Sequence, residues 1–336
     1  MNTIRFARYF AVAGLAAMSL AAGQAFAQSK GLAAFSQAEM TNEWRVMNSK
    51  EMEESWRAAG YDFVWTNAES DPAKQLADVE DLLSRKPDVL IIAPIEYEAL
   101  APVPELAKAA GVPLLVVDRN LPGTPGADGN WISVITTDFV DSGIRAAKDV
   151  VAQLEAKKGG AKGTWLHITG NLGASPVIDQ GKGMEQTFVA YPDIKLLSSC
   201  DSGNSREGGR KCMEDMIAAF PSGVDVVIAD NDSAALGAID AIKAAGRTEL
   251  LGWVWGKDGT VEGLEAILAG DLVQSVQTPP FFGKDSITAF ETFKAGGSVE
   301  PLVFVPKETF DAHTPENRAR VEARIVELKA LGVGCC

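Results

Sequence analysis

The chain has 336 residues, and its 45 acidic and 31 basic side chains give it a net charge of −14. Charge of this sign argues against nucleic acid or an anionic membrane surface as a partner, because like charges repel. The length exceeds one typical hydrophobic core, so we expect two domains.

The N-terminus has the three parts of a secretory signal peptide. Arg5 and Arg8 precede an apolar stretch from Tyr9 to Leu20, and Ala25-Phe26-Ala27 fits a small-x-small cleavage site. A membrane anchor is the weaker alternative, because the stretch is shorter than the ~18 residues that a span needs. Cleavage after Ala27 removes two arginines, so the mature chain has 29 basic and 45 acidic residues. We therefore predict residues 1–27 to be a signal peptide and the mature protein to be soluble in a bacterial periplasm.

Short apolar runs alternate with amphipathic segments along the rest of the chain. Runs such as Asp88–Pro94 and Pro113–Asp118 are continuously apolar, which is typical of parallel strands buried on both faces. Strands are predicted at Gly31–Ser36, Tyr61–Thr66, Asp88–Pro94, Pro113–Asp118, Trp131–Thr136, Gly163–Thr169, Ile194–Ser199, Val224–Asp230, Glu249–Val254, Leu272–Gln277 and Leu302–Val305. Helices are predicted at Glu43–Ala59, Asp71–Arg85, Glu98–Ala110, Phe139–Ala156, Pro176–Ala190, Arg206–Ala219, Ser233–Ala245, Gly259–Ala269, Phe281–Ala295 and Thr314–Leu331. Right-handed crossovers would turn this α/β pattern into two lobes, each a doubly wound parallel sheet.

The four cysteines form two pairs in the sequence. In an oxidising compartment we expect Cys200 and Cys212 to form a disulfide, the alternative being two reduced buried thiols. Cys335 and Cys336 are adjacent and could pair internally, pair between chains or stay free. A zinc site is not expected, because neither histidine has ligand spacing with a cysteine pair.

Several apolar runs end abruptly in polar side chains. Examples are Val117-Asp118-Arg119, Ile228-Ala229-Asp230-Asn231-Asp232, Trp255-Gly256-Lys257-Asp258 and Val276-Gln277. In open parallel sheets, ligands bind beyond the carboxyl ends of the strands. The repeated polar ending therefore predicts a crevice for a small polar molecule.

No catalytic signature is found. A phosphate-binding loop, a nucleophile elbow and a dinucleotide-binding glycine motif are all missing from the sequence. His167 lies within an apolar strand and is predicted to be a core histidine. The remaining carboxylates, amides and guanidinium groups could each bridge two vicinal hydroxyls of a sugar, and Trp44 beside Arg45 is the best candidate for packing against its C–H face.

Each of these side chains also has a purely structural alternative. Asn231 and Asp232 could cap the helix that starts near Ser233, and Asp258 could cap the helix at Gly259. Trp44 could belong to the core, and Arg45 could be a solvated helix residue.

An ordered set of short motifs carries a resemblance to a known family. The set comprises Phe35-Ser36-Gln37 with Glu43-Trp44-Arg45, Ile92-Ala93-Pro94, Val117-Asp118-Arg119, Gly173-Ala174-Ser175 with Ile178-Asp179, Asp230-Asn231-Asp232, Asp258-Gly259 and Gln277-Thr278-Pro279. In these motifs the chain resembles bacterial periplasmic sugar-binding proteins of the ribose-binding type, most closely the galactofuranose-binding branch.

The resemblance implies a type I periplasmic binding protein whose two lobes are joined by a three-strand hinge. The N-terminal lobe would comprise residues 28–135 and 279–305, and the C-terminal lobe residues 136–278 and 306–336. Such a protein is a monomer that binds one monosaccharide, here a hexose or a furanose form, without a cofactor, metal or turnover. It delivers the sugar to an ABC transporter permease in the inner membrane. Ligand contacts are implied for Trp44, Arg45, Asp118, Arg119, Asp138, Asp179, Asn231, Asp258 and Gln277.

Two departures from the family pattern bear on the ligand. Ile178 stands where the ribose-binding type has an arginine, and Ser202-Gly203-Asn204 stands where an aromatic residue is usual. The loss of one stacking ring makes ribose itself a weaker expectation than a hexose, a furanose form or a polyol. Two other functions remain open: a sugar-sensing co-receptor for a chemoreceptor or sensor kinase, and a secreted carbohydrate-active enzyme using Asp232 with Asp258.

Overall fold

A computed structural model describes residues 29–126, 131–330, 332 and 334–335. The predicted signal peptide lies outside these residues. The strands of the structure are β1 (Leu32–Gln37), β2 (Asp62–Asn67), β3 (Val89–Ile92), β4 (Leu114–Asp118), β5 (Trp131–Thr136), β6 (Gly163–Thr169), β7 (Ile194–Asp201), β8 (Val226–Ala229), β9 (Val254–Asp258), β10 (Gln274–Gln277), β11 (Leu302–Phe304) and β12 (Thr309–Asp311). Its helices are α1 (Glu43–Ala58), α2 (Pro72–Ser84), α3 (Val103–Ala110), α4 (Phe139–Lys158), α5 (Ser175–Phe188), α6 (Arg206–Ala219), α7 (Asp232–Ala244), α8 (Val261–Ala269), α9 (Gly283–Lys294) and α10 (Pro315–Ala330). Within the described part, no helix combines the length and the apolar character that a membrane span requires.

Two six-stranded sheets form the centres of two α/β lobes. The first sheet has the order β2-β1-β3-β4-β5-β11, and the second has the order β7-β6-β8-β9-β10-β12. The first five strands of each sheet are parallel and follow the same doubly wound order, so each lobe has a point where the strand order reverses. The predicted fold class is confirmed.

The strands that read as continuously apolar are buried on both faces. Every residue of β3 and β4 is buried, because helices cover both sides of the first sheet. The second sheet is likewise covered on both faces. Each lobe therefore has its own hydrophobic core.

The predicted strand at Glu249–Val254 is wrong. Thr248–Leu250 forms a 3-10 turn, Gly252 follows with a φ of 73°, and the strand begins only at Val254. The short strand β12 was not predicted, since three residues carry no clear alternation. It runs antiparallel to β10, so the second sheet is mixed at that edge.

The chain passes between the two sheets three times within the described residues. The passages are β5 to α4, β10 to α9, and β11 to β12. After the second passage, α9 returns to the first lobe, where the Trp56 Nε1 donates to Ser286 Oγ at 3.1 Å. At the third, the Lys307 ammonium donates to Ser142 Oγ at 2.7 Å in the first turns of α4.

The expected disulfide between Cys200 and Cys212 is present and joins β7 to α6, with a Cα–Cα distance of 5.8 Å. Cys335 is buried and disulfide-bonded, and its backbone pairs with that of Thr260. Cys336 lies outside the described residues.

Candidate ligand-binding site

Side chains from both lobes line one cavity, which has a volume of about 60 Å³. The first lobe contributes Glu39, Asn42, Trp44, Arg45, Asp118 and Arg119; the second contributes Phe139, Ala174, Pro176, Val177, Gln180, Asn204, Asp230, Asn231 and Asp258; and Thr278 lies at a passage between the lobes. The carboxyl ends of the two sheets thus face each other across a shared space.

Four buried charges form the first-lobe wall. The Arg45 Nη2 lies 2.7 Å from Asp118 Oδ2, and the Arg119 Nη2 donates to Glu39 Oε1 at 2.8 Å. Burial would raise the pKa of Glu39, but Arg119 and Arg45 outweigh it and hold that pKa at about 2. Arg119 also donates to the carbonyl oxygen of Ile95 at 3.0 Å, which fixes its guanidinium in the wall. The wall therefore presents fixed donors and acceptors with no net charge.

Trp44 lies at the start of α1, where Asn42 caps the helix by accepting from the Arg45 backbone N–H. The Arg45 guanidinium lies over the indole ring at 4.6 Å, and the Trp44 Nε1 donates to the carbonyl oxygen of Thr278. The ring is 5% exposed. One of its faces is thus covered by a cation, so Trp44 does not offer two open faces to a ligand.

Asn231 caps a helix and also lines the cavity. Its Oδ1 accepts from the Ala234 backbone N–H at 2.7 Å and caps α7, while its Nδ2 lies 3.2 Å from Asn204 Oδ1 at the cavity. Gln180 lies on α5 and is 3% exposed, and its Oε1 accepts no hydrogen bond from any described residue. A buried acceptor without a donor costs free energy unless something at the cavity supplies one.

Asp230 is an ionised group with dedicated partners. Its Oδ1 accepts from His167 Nε2 at 2.9 Å and from Lys257 Nζ at 3.1 Å. Burial opposes ionisation, but these two partners outweigh it and hold the pKa of Asp230 below its usual range. His167 is therefore a buried structural histidine, as the sequence predicted.

Asp258 has the opposite environment. Burial raises its pKa well above the usual value, and the nearby carboxylate of Asp232 raises it further. Asp232 accepts from the Thr260 backbone N–H at 2.8 Å and from Ser275 Oγ at 2.7 Å, yet burial still raises its pKa to about 6. Asp232 does not line the cavity. The two acids therefore do not flank a common space in the way that a glycosidase pair must.

The two lobes place a carboxylate at equivalent positions. Asp118 ends β4 and Asp258 ends β9, each the fourth strand of its doubly wound sheet. Both residues have positive φ, at 63° and 111°, which few residues other than glycine adopt. This shared backbone geometry aims one acid from each lobe at the cavity.

Six of the nine sequence-predicted residues line the cavity, namely Trp44, Arg45, Asp118, Arg119, Asn231 and Asp258. The other three make local contacts. Asp138 caps α4 by accepting from the Asp141 backbone N–H at 2.9 Å, and Asp179 pairs with Lys182 at 2.9 Å on α5. Gln277 Oε1 accepts from the Glu308 backbone N–H at 2.9 Å, beside the third passage.

The sequence reasoning missed several polar residues of the cavity. Glu39 lies two residues beyond the end of β1, so a slightly wider definition of a strand end would have found it. Asn204 was noted in the sequence only because its segment lacks the aromatic residue that is usual in the family. Gln180 had no signal, because it lies on a helix and faces the cavity only through tertiary packing.

Among the described residues, no group of three or more histidine, cysteine or acidic side chains is arranged to hold a metal ion. The arrangement of the cavity suits a neutral molecule that presents many hydroxyl groups, since carboxylates accept from them and guanidinium groups donate to them.

Sequence comparison finds a match between residues 33–291 and a family model described as a periplasmic binding protein domain. A xylitol-binding protein of Mycolicibacterium smegmatis is 34% identical over 217 residues, which are 65% of this chain and 59% of that protein. The ribose import binding protein of Escherichia coli is 30% identical over 242 residues, or 72% of this chain and 77% of that protein.

Structural comparison gives a similar result. The periplasmic binding protein of an arabinose ABC transporter from Shewanella sp. ANA-3, solved with bound L-arabinofuranose, superposes with a TM-score of 0.80 and 26% identity. The superposition covers 90% of this chain and 98% of that structure.

Proposed function

The chain belongs to the periplasmic binding protein family, and we propose that it is the substrate-binding component of an ABC-type sugar importer. The observation that carries this proposal is the convergence of Asp118 and Arg119 from one lobe with Asn231 and Asp258 from the other on one cavity. The relatives are binding proteins of importers, which supports binding without turnover. We assign the protein to the periplasm, where a cleaved signal peptide would deliver it, and take an inner-membrane permease as its partner.

The proposed ligand is a monosaccharide, as a furanose form or a hexose, or a related polyol. The named relatives bind xylitol, ribose and arabinofuranose, all of them neutral and rich in hydroxyl groups. The cavity of this chain has the same chemistry, because carboxylates, guanidinium groups and amides line it from both sides.

In the proposed mechanism the ligand stabilises the closed form because it contacts both lobes at once. The three passages between the sheets would act as the hinge between lobes 28–135 with 279–305 and 136–278 with 306–336. Asp118 and Arg119 would bind hydroxyl groups on the first side, and Asn231 and Asp258 on the second. Gln277 would act in the hinge, through its bond to the Glu308 backbone.

A thermal-shift screen tests this function. Pentoses, hexoses, their furanose-forming members and C4–C6 polyols are added separately to the mature protein. At 100 times its dissociation constant, a ligand adds about 2.7 kcal/mol to the free energy of unfolding, which shifts the melting temperature by several degrees.

Asp118→Asn is the matched control for the screen. It keeps the side-chain shape but removes the charge that pairs with Arg45. We expect at least about a tenfold loss of affinity in calorimetry, since hydrogen bonds to charged groups contribute about 1.5–3 kcal/mol. A wild-type protein that responds to no sugar or polyol, or an Asp118→Asn protein that responds equally, would contradict the proposal.

A further inference from the structure

Glu39 joins the two lobes directly, without a ligand. It is fully buried at the first-lobe wall, where its Oε1 accepts from Arg119. From the second lobe, the Asn204 Nδ2 donates to Oε1 at 3.1 Å, and the Asn171 Nδ2 lies 3.4 Å from Oε2. One carboxylate therefore accepts from side chains of both lobes.

The backbone conformation and the hydrogen bonds of Asn204 orient its side chain for this contact. It follows the disulfide-bonded Cys200 on β7, and its φ of 57° lies in the left-handed region that asparagine tolerates. Its Oδ1 accepts from Asn231 Nδ2 at 3.2 Å, and its backbone carbonyl accepts from Asn42 Nδ2 of the first lobe at 3.2 Å. These bonds orient the amide so that its Nδ2 faces Glu39.

The charge on Glu39 makes this contact stronger than the neutral contacts that cross the cleft. At the rim, the Tyr97 backbone N–H donates to the carbonyl oxygen of Gly173 at 2.8 Å, and the Asn120 backbone N–H donates to Ser175 Oγ at 2.7 Å. Both are neutral pairs. Hydrogen bonds to an ionised carboxylate are roughly twice as strong, and Glu39 is shielded from water in the closed form.

We propose that Glu39 and Asn204 form an interlobe bridge that holds part of the unliganded protein closed and positions the two walls of the binding site. The bridge replaces the aromatic residue that the resemblance led us to expect at the Asn204 segment. It uses polar groups of the chain itself to complete that end of the cavity. Opening then requires the Glu39 carboxylate to exchange an amide partner for water.

Small-angle X-ray scattering of the unliganded mature protein tests the bridge. Asn204→Gly removes the amide but keeps the positive φ accessible. We expect its closed-to-open ratio to fall about tenfold relative to the wild type, in line with the loss of one hydrogen bond to a charged group. Thr41→Val is the matched control, because the Thr41 Oγ1 donates to the same carboxylate, at 3.2 Å, from within the first lobe. The control should scatter like the wild type.

A rescue experiment separates the bridge from a general loss of structure. Asn204→Asp places a second carboxylate against Glu39 and should open the protein. Adding Glu39→Gln should restore closure, because the glutamine amide can donate to the new aspartate. A wild-type protein that is fully open without ligand, an Asn204→Gly protein that closes as the wild type does, or a failed rescue would overturn the proposal. No sugar is added, so the outcome is independent of the proposed function.

Discussion

At the scale of single residues, the site depends on acids held in unusual backbone conformations. Asp118 and Asp258 both have positive φ at the end of a buried strand. A non-glycine residue in this region carries strain, which aspartate bears better than most residues because its short side chain bonds locally. The strain persists because the buried strand that precedes each residue fixes its backbone, and the resulting conformation directs each carboxylate into the cavity.

The pair Asp258 and Asp232 should make stability depend on pH. The pKa of both acids is raised in the folded state, to about 6 for Asp232, against about 4 when unfolded. Between about pH 4 and pH 6 the folded protein therefore binds more protons than the unfolded chain, so this pair makes stability rise as the pH falls. We expect Asp258→Asn to raise the melting temperature of the ligand-free protein at pH 7.5 and to flatten the change between pH 7.5 and pH 5. Calorimetry at both pH values measures this.

An exposed acid provides the control for that measurement. Asp62→Asn changes a carboxylate at the solvent-exposed edge of β2 and should leave the pH dependence as in the wild type. Equal slopes for wild type and Asp258→Asn would show that the two acids are not coupled to folding. Asp258→Asn should also weaken sugar binding, because Asp258 lines the cavity, so its gain in stability and its loss of affinity would go together.

At the scale of elements, pairs of glycines set the positions of the helices that carry cavity residues. A Cβ on Gly183 of α5 would lie 2.1 Å from the carbonyl oxygen of Val140, and one on Gly143 of α4 would lie 2.2 Å from that of Gln180. The same reciprocal contact joins α6 and α7 through Gly209 and Gly237. The helix backbones thus pack directly on each other, which fixes Gln180 at the cavity.

Gly183→Ala should therefore destabilise the second lobe. Backbone atoms cannot move aside as a flexible side chain can, so we expect a loss of about 1–3 kcal/mol in the free energy of unfolding. Gly181→Ala on the same helix is the control, since a Cβ there meets nothing within 4 Å and alanine favours helix by up to about 1 kcal/mol. Urea unfolding followed by circular dichroism compares them. Equal free energies of unfolding for the two variants would mean that α4 and α5 can move apart without loss of stability.

The positions of the cavity residues on strands and helices explain which of them could be predicted from the sequence. The rule that polar residues follow buried parallel strands located Asp118, Arg119, Asn231 and Asp258, because the rule follows from sheet geometry. The same rule placed Gln277 at the site, but its acceptor is used by the backbone of Glu308. That backbone comes from a distant segment, which no local pattern reveals. Gln180 was missed for the related reason that a helix face is aimed by tertiary packing.

At the scale of the whole molecule, two lobes share the order and direction of their first five strands and meet at a polar cleft. Each lobe has its own core, so closure need not disturb either one. The chain crosses between the sheets three times, and Lys307 fixes the third passage to the start of α4 through Ser142. In the proposed mechanism, motion between the lobes would be confined to a few linking residues, as in hinge closure.

A sugar identified by the screen should therefore reduce the radius of gyration of the protein as it saturates the site. In the proposed mechanism the unliganded population contains open molecules, and a ligand that contacts both walls shifts them to the closed form. Small-angle X-ray scattering across a titration measures the change, and the scattering midpoint should coincide with that of calorimetry. The Asp118→Asn protein should need at least about ten times more sugar to reach the same radius, in line with its expected loss of affinity. If heat is released on binding while the radius stays constant in the wild type, the ligand contacts only one lobe, and binding by closure is wrong for this protein.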